Sequence, residues 1–304
     1  MQAALWLKDH LKNGGKLVIT LSGALSSFQI GIMLSELIRK NKVHLVSSTA
    51  ANHEESYFRY VAHSHYAYIP NYTELTPAQE AELRDSDTFL PEDESVRIME
   101  PHLIKMWHEA GKKGEQYFPH EYFRRLFSEK LIKPDPLANA NDCWTYAAYK
   151  KNIPILIPGF EDSTMGNLFA AFTYRGPHRK KEAVLVNPSV MKTGMDYFHF
   201  MYDWYMKESK KHPIAFLQLG GGIAGDFPIC VVPSIRHDLY INKVKDWAGF
   251  IEIGSSPMSY GSYSGAGGKE KITWDKLSTD SYYQIIQSDV TVAFPWIAAV
   301  LLDL

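Results

Sequence analysis

The stretch KLVITLSGALSSFQIGIMLSELIRKNKVHLVS, residues 16–47, decides the fold class. Its first six residues are an apolar run that predicts a strand, and a turn of small residues follows at 22–24. Apolar residues at helical spacing over 27–40 predict a helix, and 43–47 predicts a second strand. A strand, a helix and a second strand in this order form a βαβ unit with parallel strands.

The rest of the chain repeats this alternation. A helix is predicted at 54–62, and apolar runs predict strands at 153–157, 183–186, 214–219, 250–253 and 283–288. The pattern predicts one α/β domain over residues 1–304, with a Rossmann-like, mainly parallel sheet and flanking helices. Residues 65–150 are less regular and are predicted to be a mainly helical insertion, with an interruption near Pro101.

Composition excludes several classes of protein. The net charge of −2 argues against a nucleic-acid-binding surface, and two cysteines are too few for a disulfide framework or a cysteine-rich zinc site. No metal site is predicted. Residues 1–15 are typical of a short amphipathic helix rather than a signal peptide, and residues 294–302 form an apolar run too short to span a membrane. We therefore expect a cytoplasmic protein that binds neither membrane nor nucleic acid.

A glycine-rich stretch near the C-terminus, GSSPMSYGSYSGAGGKEKITWDKL at 254–277, ends in a lysine beside an indole. Glycine permits close approach to a ligand. If Lys276 were held with Trp274 in an apolar pocket, its amine would lose hydration and could act as a nucleophile. The alternative is a surface loop with a solvated lysine.

Polar and small residues follow the predicted strands. The turn at Ser22–Gly23 could present backbone N–H groups to a phosphate, although many α/β domains have such a turn without a ligand. Glu54 and Glu55 could hold a cationic amine or could stabilise the first turn of a helix. Asp162 could bind a ribose or could form an Asx-turn.

A second glycine motif, GGGIAG at 220–225, fits the GxGxxG dinucleotide fingerprint, and Asp246 lies at about the right distance for a ribose acid. Pro228 and Pro233 are expected to weaken the helix that must follow. We therefore discount this fingerprint.

Several of these motifs together resemble deoxyhypusine synthase. That family has a Gly-Ser-x-Ser-Gly-Ala segment followed by Glu-Ala-Val-Ser-Trp-Gly-Lys, and this chain has GSYSGA at 261–266 and EKITWDK at 270–276. The family's Thr-Thr-Ala-Gly-Gly-x-Glu-Glu-Asp and Leu-Gly-Gly-Gly motifs are similar to residues 48–56 and 219–222. The order and spacing of the motifs agree over nearly the whole chain.

The resemblance implies an NAD-dependent transfer of an aminobutyl group from a polyamine, with Lys276 as the imine-forming residue. It implies that NAD contacts the residues after the strands, namely Gly23, Ala24, Leu25, Ser26, Ser27, Thr49, Ala50, Ala51, Glu55, Asp162, Ser255, Ser256, Asp289 and Val290. It implies that substrate contacts Glu54, Glu55, Asn167, Gly221, Asp226, Gly261, Ser262, Tyr263, Glu270 and Trp274. It also implies a homotetramer with its sites between paired subunits.

Three substrate positions depart from the family pattern. Asn167 and Tyr263 stand where the family has acids, and Asp226 stands where it has a histidine. These departures leave the acceptor open: a protein lysine, as in the parent family, or a small diamine, as in homospermidine synthase. A non-catalytic protein that binds NAD or polyamine is the other alternative, which the presence of Lys276 and Glu54 disfavours. An NAD-dependent deacylase has no support, since zinc cysteines are lacking.

Overall fold

The computed structural model describes residues 1–26, 28–78, 84–176, 185–259, 261 and 266–304. Its strands fall into two sheets. They are β1 (Lys16–Leu21), β2 (Leu45–Ser48), β3 (Ala67–Tyr68), β4 (Arg84–Asp85), β5 (Thr88–Phe89), β6 (Ile155–Leu156), β7 (Ile214–Leu219), β8 (Trp247–Gly254) and β9 (Leu277–Gln287).

Helices connect the strands of the larger sheet. They are α1 (Gln2–Lys12), α2 (Ile30–Arg39), α3 (Ala50–Ala62), α4 (Val96–Lys113), α5 (Pro119–Ser128), α6 (Trp144–Lys151), α7 (Thr164–Thr173), α8 (Gly194–Ser209), α9 (Ile223–Ile229), α10 (Val231–His237), α11 (Gly268–Thr273) and α12 (Val290–Leu301). Short 3₁₀ helices lie at His63–His65, Tyr72–Glu74, Ala140–Asp142 and Pro188–Val190.

The larger sheet has six strands in the order β6-β2-β1-β7-β8-β9, and each neighbouring pair is parallel. This is the 3-2-1-4-5-6 order of dinucleotide-binding folds, in which the connections reverse direction between the two central strands. Here the reversal lies between β1 and β7. Such a reversal opens a crevice at the carboxyl ends of the strands, where these folds bind their ligands.

Helices cover both faces of this sheet, which explains why its central strands are continuous apolar runs. All six residues of β7 are buried. Trp6 of α1 packs on Gly249, and α1, α2, α6 and α12 pack on one another on that face. The ammonium of Lys271 in α11 lies over the ring of Phe250. Because successive strand residues point to opposite faces, α11 lies on the other face from α1.

The structure confirms the predicted mainly parallel α/β fold. The strand predictions at 16–21 and 214–219 match β1 and β7 residue for residue, and those at 43–47, 153–157, 250–253 and 283–288 match β2, β6, β8 and β9 with shifted ends. The predicted helices at both ends of the chain are α1 and α12. The small antiparallel sheet, in the order β3-β5-β4, was not predicted.

One prediction about an element was wrong, and a second is contradicted in its described part. Helix α4 continues through Pro101, because its apolar side, which includes Met99 and Leu103, is buried while the proline faces outward. A helix follows the triple glycine, and α9 ends after seven residues, which agrees with the expected weakening by proline. The predicted strand at 183–186 falls partly outside the described residues, and its described part, 185–186, is not a strand.

Candidate active site

The crevice at the reversal point is built by a close approach of two loops. The backbone N–H of Ser22, directly after β1, donates to the carbonyl of Leu219 at 3.0 Å. Gly220, directly after β7, has φ +76°, and a Cβ at this position would lie 3.0 Å from the Cβ of Ser22. A side chain would push these loops apart, so glycine keeps the crevice narrow.

Two of the predicted cofactor loops, 23–26 and 49–51, are joined by Asn52. The side chain of Asn52 donates to the carbonyls of Ser22 and Gly23 at 3.0 and 2.9 Å and accepts from the backbone N–H of Ser26 at 2.7 Å. The hydroxyl of Thr49 also donates to the carbonyl of Gly23, at 2.7 Å. Asn52 was missed from the sequence, although it stands where the family motif has glycine, and that departure was a usable signal.

The start of α2 corrects one expectation for this loop. The helix was predicted from residue 27, which would place its N-terminus directly behind the Gly23 turn. It begins at Ile30 instead, because Gln29 takes a left-handed conformation with φ +59°. The positive end of the α2 dipole therefore lies farther from the turn than predicted, and Ser27 lies outside the described residues.

Buried hydroxyls line the sheet below the crevice. Ser47, Thr20, Gln218 and Glu252 are register partners on four adjacent strands, so their side chains point to the same face. The hydroxyls of Thr20, Ser22 and Ser47 have no protein hydrogen-bond partner within the described residues. Burying a polar group without a hydrogen bond costs free energy. A polar ligand that formed hydrogen bonds with these hydroxyls would remove that cost. The narrow glycine approach and these hydroxyls fit a dinucleotide.

Glu54 caps a helix. Its carboxylate is buried and accepts from the backbone N–H groups of Thr164 and Met165, at 2.8 and 2.9 Å, at the start of α7. Burial raises the pKa of Glu54, and these hydrogen bonds act in the opposite direction. The neighbouring carboxylate of Glu55 lies 3.4 Å from Nε of Arg59. A substrate ammonium at this point would therefore contact the carboxylates of Glu54 and Glu55, which already have partners within the protein.

The loop between β6 and α7 carries Asp162, and Asn167 lies in the first turn of α7; both are exposed. The side-chain amide of Asn167 donates to the carbonyls of Glu161 and Ser163 at 2.7 and 2.8 Å. Asn167 therefore braces the loop that presents Asp162. A carboxylate at 167 could not donate these two hydrogen bonds.

The predicted nucleophile and one predicted substrate residue lie together. Nζ of Lys276 is 3.4 Å from the carboxylate of Asp226 in α9, and the Lys276 side chain is 13% exposed. The thiol of Cys230 lies 3.7 Å from the same carboxylate and also contacts Lys276. Burial raises the pKa of Cys230, with the Lys276 ammonium acting in the opposite direction. Cys230 was missed from the sequence.

The backbone of Lys276 does not lie beside the predicted cofactor loops. Lys276 immediately precedes β9, whose first residue pairs with Trp247 at the start of β8. Ser255 and Asp289 follow the opposite ends of these strands, and eight residues of β8 span roughly 25 Å. The lysine side chain reaches α9, so a ligand that meets both groups must extend from the crevice along α9.

The remaining predicted residues lie mostly at the surface. Trp274 is 66% exposed, so within this chain it does not form with Lys276 the apolar pocket that was one of the two alternatives. The Asp289 carboxylate caps α12 by accepting from the backbone N–H of Thr291 at 2.8 Å, and Val290 is buried beside it. Six further predicted site residues are at least partly exposed: Ala51, Gly221, Ser255, Ser256, Gly261 and Glu270. Ser262 and Tyr263 lie outside the described residues.

The described part of the chain has neither a cluster of metal ligands nor a helix that could span a membrane. No group of three or more histidine, cysteine or acidic side chains is placed to hold a metal ion. No described helix is long and apolar enough to cross a membrane.

Comparison with known proteins identifies relatives over almost the full chain. The family model for deoxyhypusine synthase matches residues 1–301. A probable deoxyhypusine synthase of Sulfurisphaera tokodaii is 22% identical over 301 residues, covering 97% of this chain and 85% of the relative. One from Schizosaccharomyces pombe is 27% identical over 219 residues, but only 54% of its length is matched.

Solved structures agree on the fold. A structure from Entamoeba histolytica assigned to deoxyhypusine synthase aligns with a TM-score of 0.55 at 11% identity, covering 95% of this chain and 75% of that one. A conserved LOR/SDH protein from Methanococcus maripaludis aligns with a TM-score of 0.53 at 11% identity, covering 100% of this chain and 67% of that one. At these identities the likeness describes the fold alone.

Proposed function

The chain belongs to the deoxyhypusine synthase family, a family of transferases, and we propose that it transfers the aminobutyl group of a polyamine to an acceptor amine through an imine on Lys276. The observation that carries this proposal is the contact between Lys276 and Asp226 at 3.4 Å. A mostly buried lysine whose amine is held by one carboxylate has a fixed position from which it can attack a bound imine.

NAD is the proposed cofactor, and it would supply a hydride acceptor that takes hydride from the polyamine and later returns it. The residues that would hold it lie at the carboxyl ends of the strands: the Gly23–Ser26 turn, Thr49–Ala51, Asp162, Ser255–Ser256 and Asp289. The glycine approach at Gly220 and the unpaired hydroxyls of Thr20 and Ser22 support this placement.

The transfer itself depends on the chain's own groups. Oxidation of the carbon next to a secondary amine of the substrate gives an imine, which the neutral amine of Lys276 attacks. A diamine leaves, and the aminobutyl group stays on Lys276 as a new imine. The acceptor amine then attacks that imine and releases Lys276, and return of the hydride to the imine carbon, with a proton on nitrogen, would give the alkylated amine. The Asp226 carboxylate would hold the Lys276 amine in place for both attacks, and solvent would exchange its proton.

A small amine is the second candidate acceptor, in place of a protein lysine. The observation that favours it is the substitution pattern at the polyamine site. Asn167 is neutral and braces the loop that precedes α7, while the acid Asp226 lies beside Lys276 instead of a histidine. The negative charge that would hold the far end of the polyamine has therefore moved, and the preferred amine is expected to differ in length or charge.

We also propose a cytoplasmic homotetramer with sites between paired subunits. Trp274, two residues before Lys276, is 66% exposed, and Trp296 on α12 is 72% exposed. Exposed tryptophans are enriched at protein interfaces, where their rings become buried. Both cysteines are free thiols in this structure, which agrees with a reducing compartment.

The test is product identification. The purified protein is incubated with NAD and, separately, spermidine, homospermidine, putrescine or agmatine, with and without an acceptor protein that presents a lysine. Mass spectrometry then identifies each product. We expect aminobutyl transfer to an amine, lost in Lys276→Ala and in Lys276→Arg, since a guanidinium does not form this imine. Tight NAD binding without any transferred group would instead indicate the non-catalytic alternative.

A further inference from the structure

Lys271 is buried against the central sheet. It is 1% exposed, and its Nζ lies 3.7 Å from the carboxylate of Glu252 on β8, which is itself 2% exposed. The same Nζ donates to the carbonyl of Ala266 at 2.6 Å and lies 4.4 Å from the centre of the Phe250 ring. Lysine is almost never this buried unless it is paired, so the ion pair fixes α11 to β8.

This pair is a departure from the family pattern. The family motif Glu-Ala-Val-Ser-Trp-Gly-Lys has alanine where this chain has Lys271, and glycine where it has Asp275. The backbone explains why the family has glycine at this position: Asp275 has φ +53°, a left-handed conformation that favours glycine. In this chain His237 and Arg236 hold the Asp275 carboxylate, at 2.7 and 3.9 Å. Side chains have thus replaced small residues at two points just before Lys276.

The backbone of Lys276 is tied directly to this anchor. Its N–H donates to the carbonyl of Lys271 at 3.0 Å, and the N–H of Asp275 donates to the carbonyl of Ile272 at 3.0 Å. Strand β9 begins at the next residue, Leu277. The position of the Lys276 backbone therefore follows from where Lys271 is held.

We propose that the buried pair of Lys271 and Glu252 positions Lys276, so that its amine meets Asp226 in α9. Both are positioning residues: they act through the α11 backbone and need no contact with substrate. The inference rests on the proposed role of Lys276 and adds two residues to it.

The test variant is Lys271→Met, which keeps an apolar stem and removes the ammonium. Burial raises the pKa of Glu252 to about 7. Without Lys271, Glu252 can bind a proton near neutral pH, so the variant is expected to fold. Glu252→Gln removes the pair from the other side and serves as a second variant. The matched control is Lys269→Met, an exposed lysine on the same helix.

Three measurements distinguish positioning from simple stabilisation. Amide hydrogen exchange over 268–277 should be at least tenfold faster in Lys271→Met and unchanged in Lys269→Met. Limited acetylation should change the reactivity of Lys276 at least threefold relative to Lys207, which is 74% exposed. Well below the melting temperature, kcat should fall at least tenfold while the KM for NAD stays within twofold.

The proposal is overturned if Lys271→Met and Glu252→Gln match the control in exchange, or if exchange changes while kcat does not. It is also overturned if kcat falls with unchanged exchange, because Lys271 would then act by another route. If the wild-type protein transfers nothing, the proposed function fails, but exchange and acetylation still show whether the pair positions Lys276.

Discussion

Several polar residues that were expected to bind ligand form hydrogen bonds to the protein's own backbone. Glu54 caps α7, Asp289 caps α12 and Asn167 braces the loop that precedes α7. The role of Glu54 could not be predicted from the sequence, because tertiary folding brings its partners at the start of α7 close, whereas Asp289 and Asn167 bond to backbone groups near them in the chain. The sequence could predict only that polar residues gather after the strands.

The substitution Asn167→Asp tests whether the Asn167 amide stabilises the fold. The change restores the acid of the family pattern, but a carboxylate cannot donate to the carbonyls of Glu161 and Ser163. We expect the free energy of unfolding to fall by about 1–2 kcal/mol, the value of two exposed neutral hydrogen bonds. Urea unfolding measures it, with Asn13→Asp at the exposed end of α1 as the control of equal charge. Unchanged stability would mean that the amide does not brace the loop.

The elements of the fold could be predicted best where burial is complete. Strands β1 and β7 are central and covered on both faces, so their apolar runs define their ends. Strand β9 lies at the sheet edge, and its start was missed because Ser278 and Asp280 are polar and at least partly exposed. The start of α2 was missed because nothing in its sequence specifies the left-handed backbone at Gln29.

Proline within helices gives a test at the scale of an element. Pro101 lies in the second turn of α4, where it cannot donate to the carbonyl of Arg97. Pro101→Ala should restore that donor without removing buried contacts, since Pro101 is exposed. We expect the variant to be more stable by about 1–3 kcal/mol. A thermal melt that shows a lower midpoint would mean that the proline relieves strain elsewhere in α4.

At the scale of the whole molecule, one buried and two half-buried neutral histidines make stability depend on pH. Burial lowers the pKa of His53 well below its usual value, that of His44 to about 4 and that of His120 to about 3, with nearby positive charges adding to the effect. The unfolded chain binds protons at these residues below about pH 6.5, whereas the folded chain does not. Their contribution to stability is therefore full above pH 6.5 and is lost as pH falls.

We accordingly expect the melting temperature to fall between pH 6.5 and 4, with the raised pKa values of Glu252 and Glu54 acting in the opposite direction. Each pH unit in this range costs about 1.4 kcal/mol for each histidine that stays neutral in the folded state. His53→Phe should flatten the profile, because His53 packs edge-on against Phe123 and an aromatic ring can take its place. His65→Gln, at a largely exposed position, should leave the slope unchanged. A flat wild-type profile would contradict the assignment of neutral histidines.

The central claim of the proposed function is covalent transfer through one lysine, Lys276. Borohydride reduction during turnover with NAD and a polyamine tests this most directly, followed by peptide mapping by mass spectrometry. The account predicts one stable aminobutyl adduct, located on Lys276 and dependent on NAD. An active enzyme that yields no adduct, or an adduct on another lysine, would contradict it.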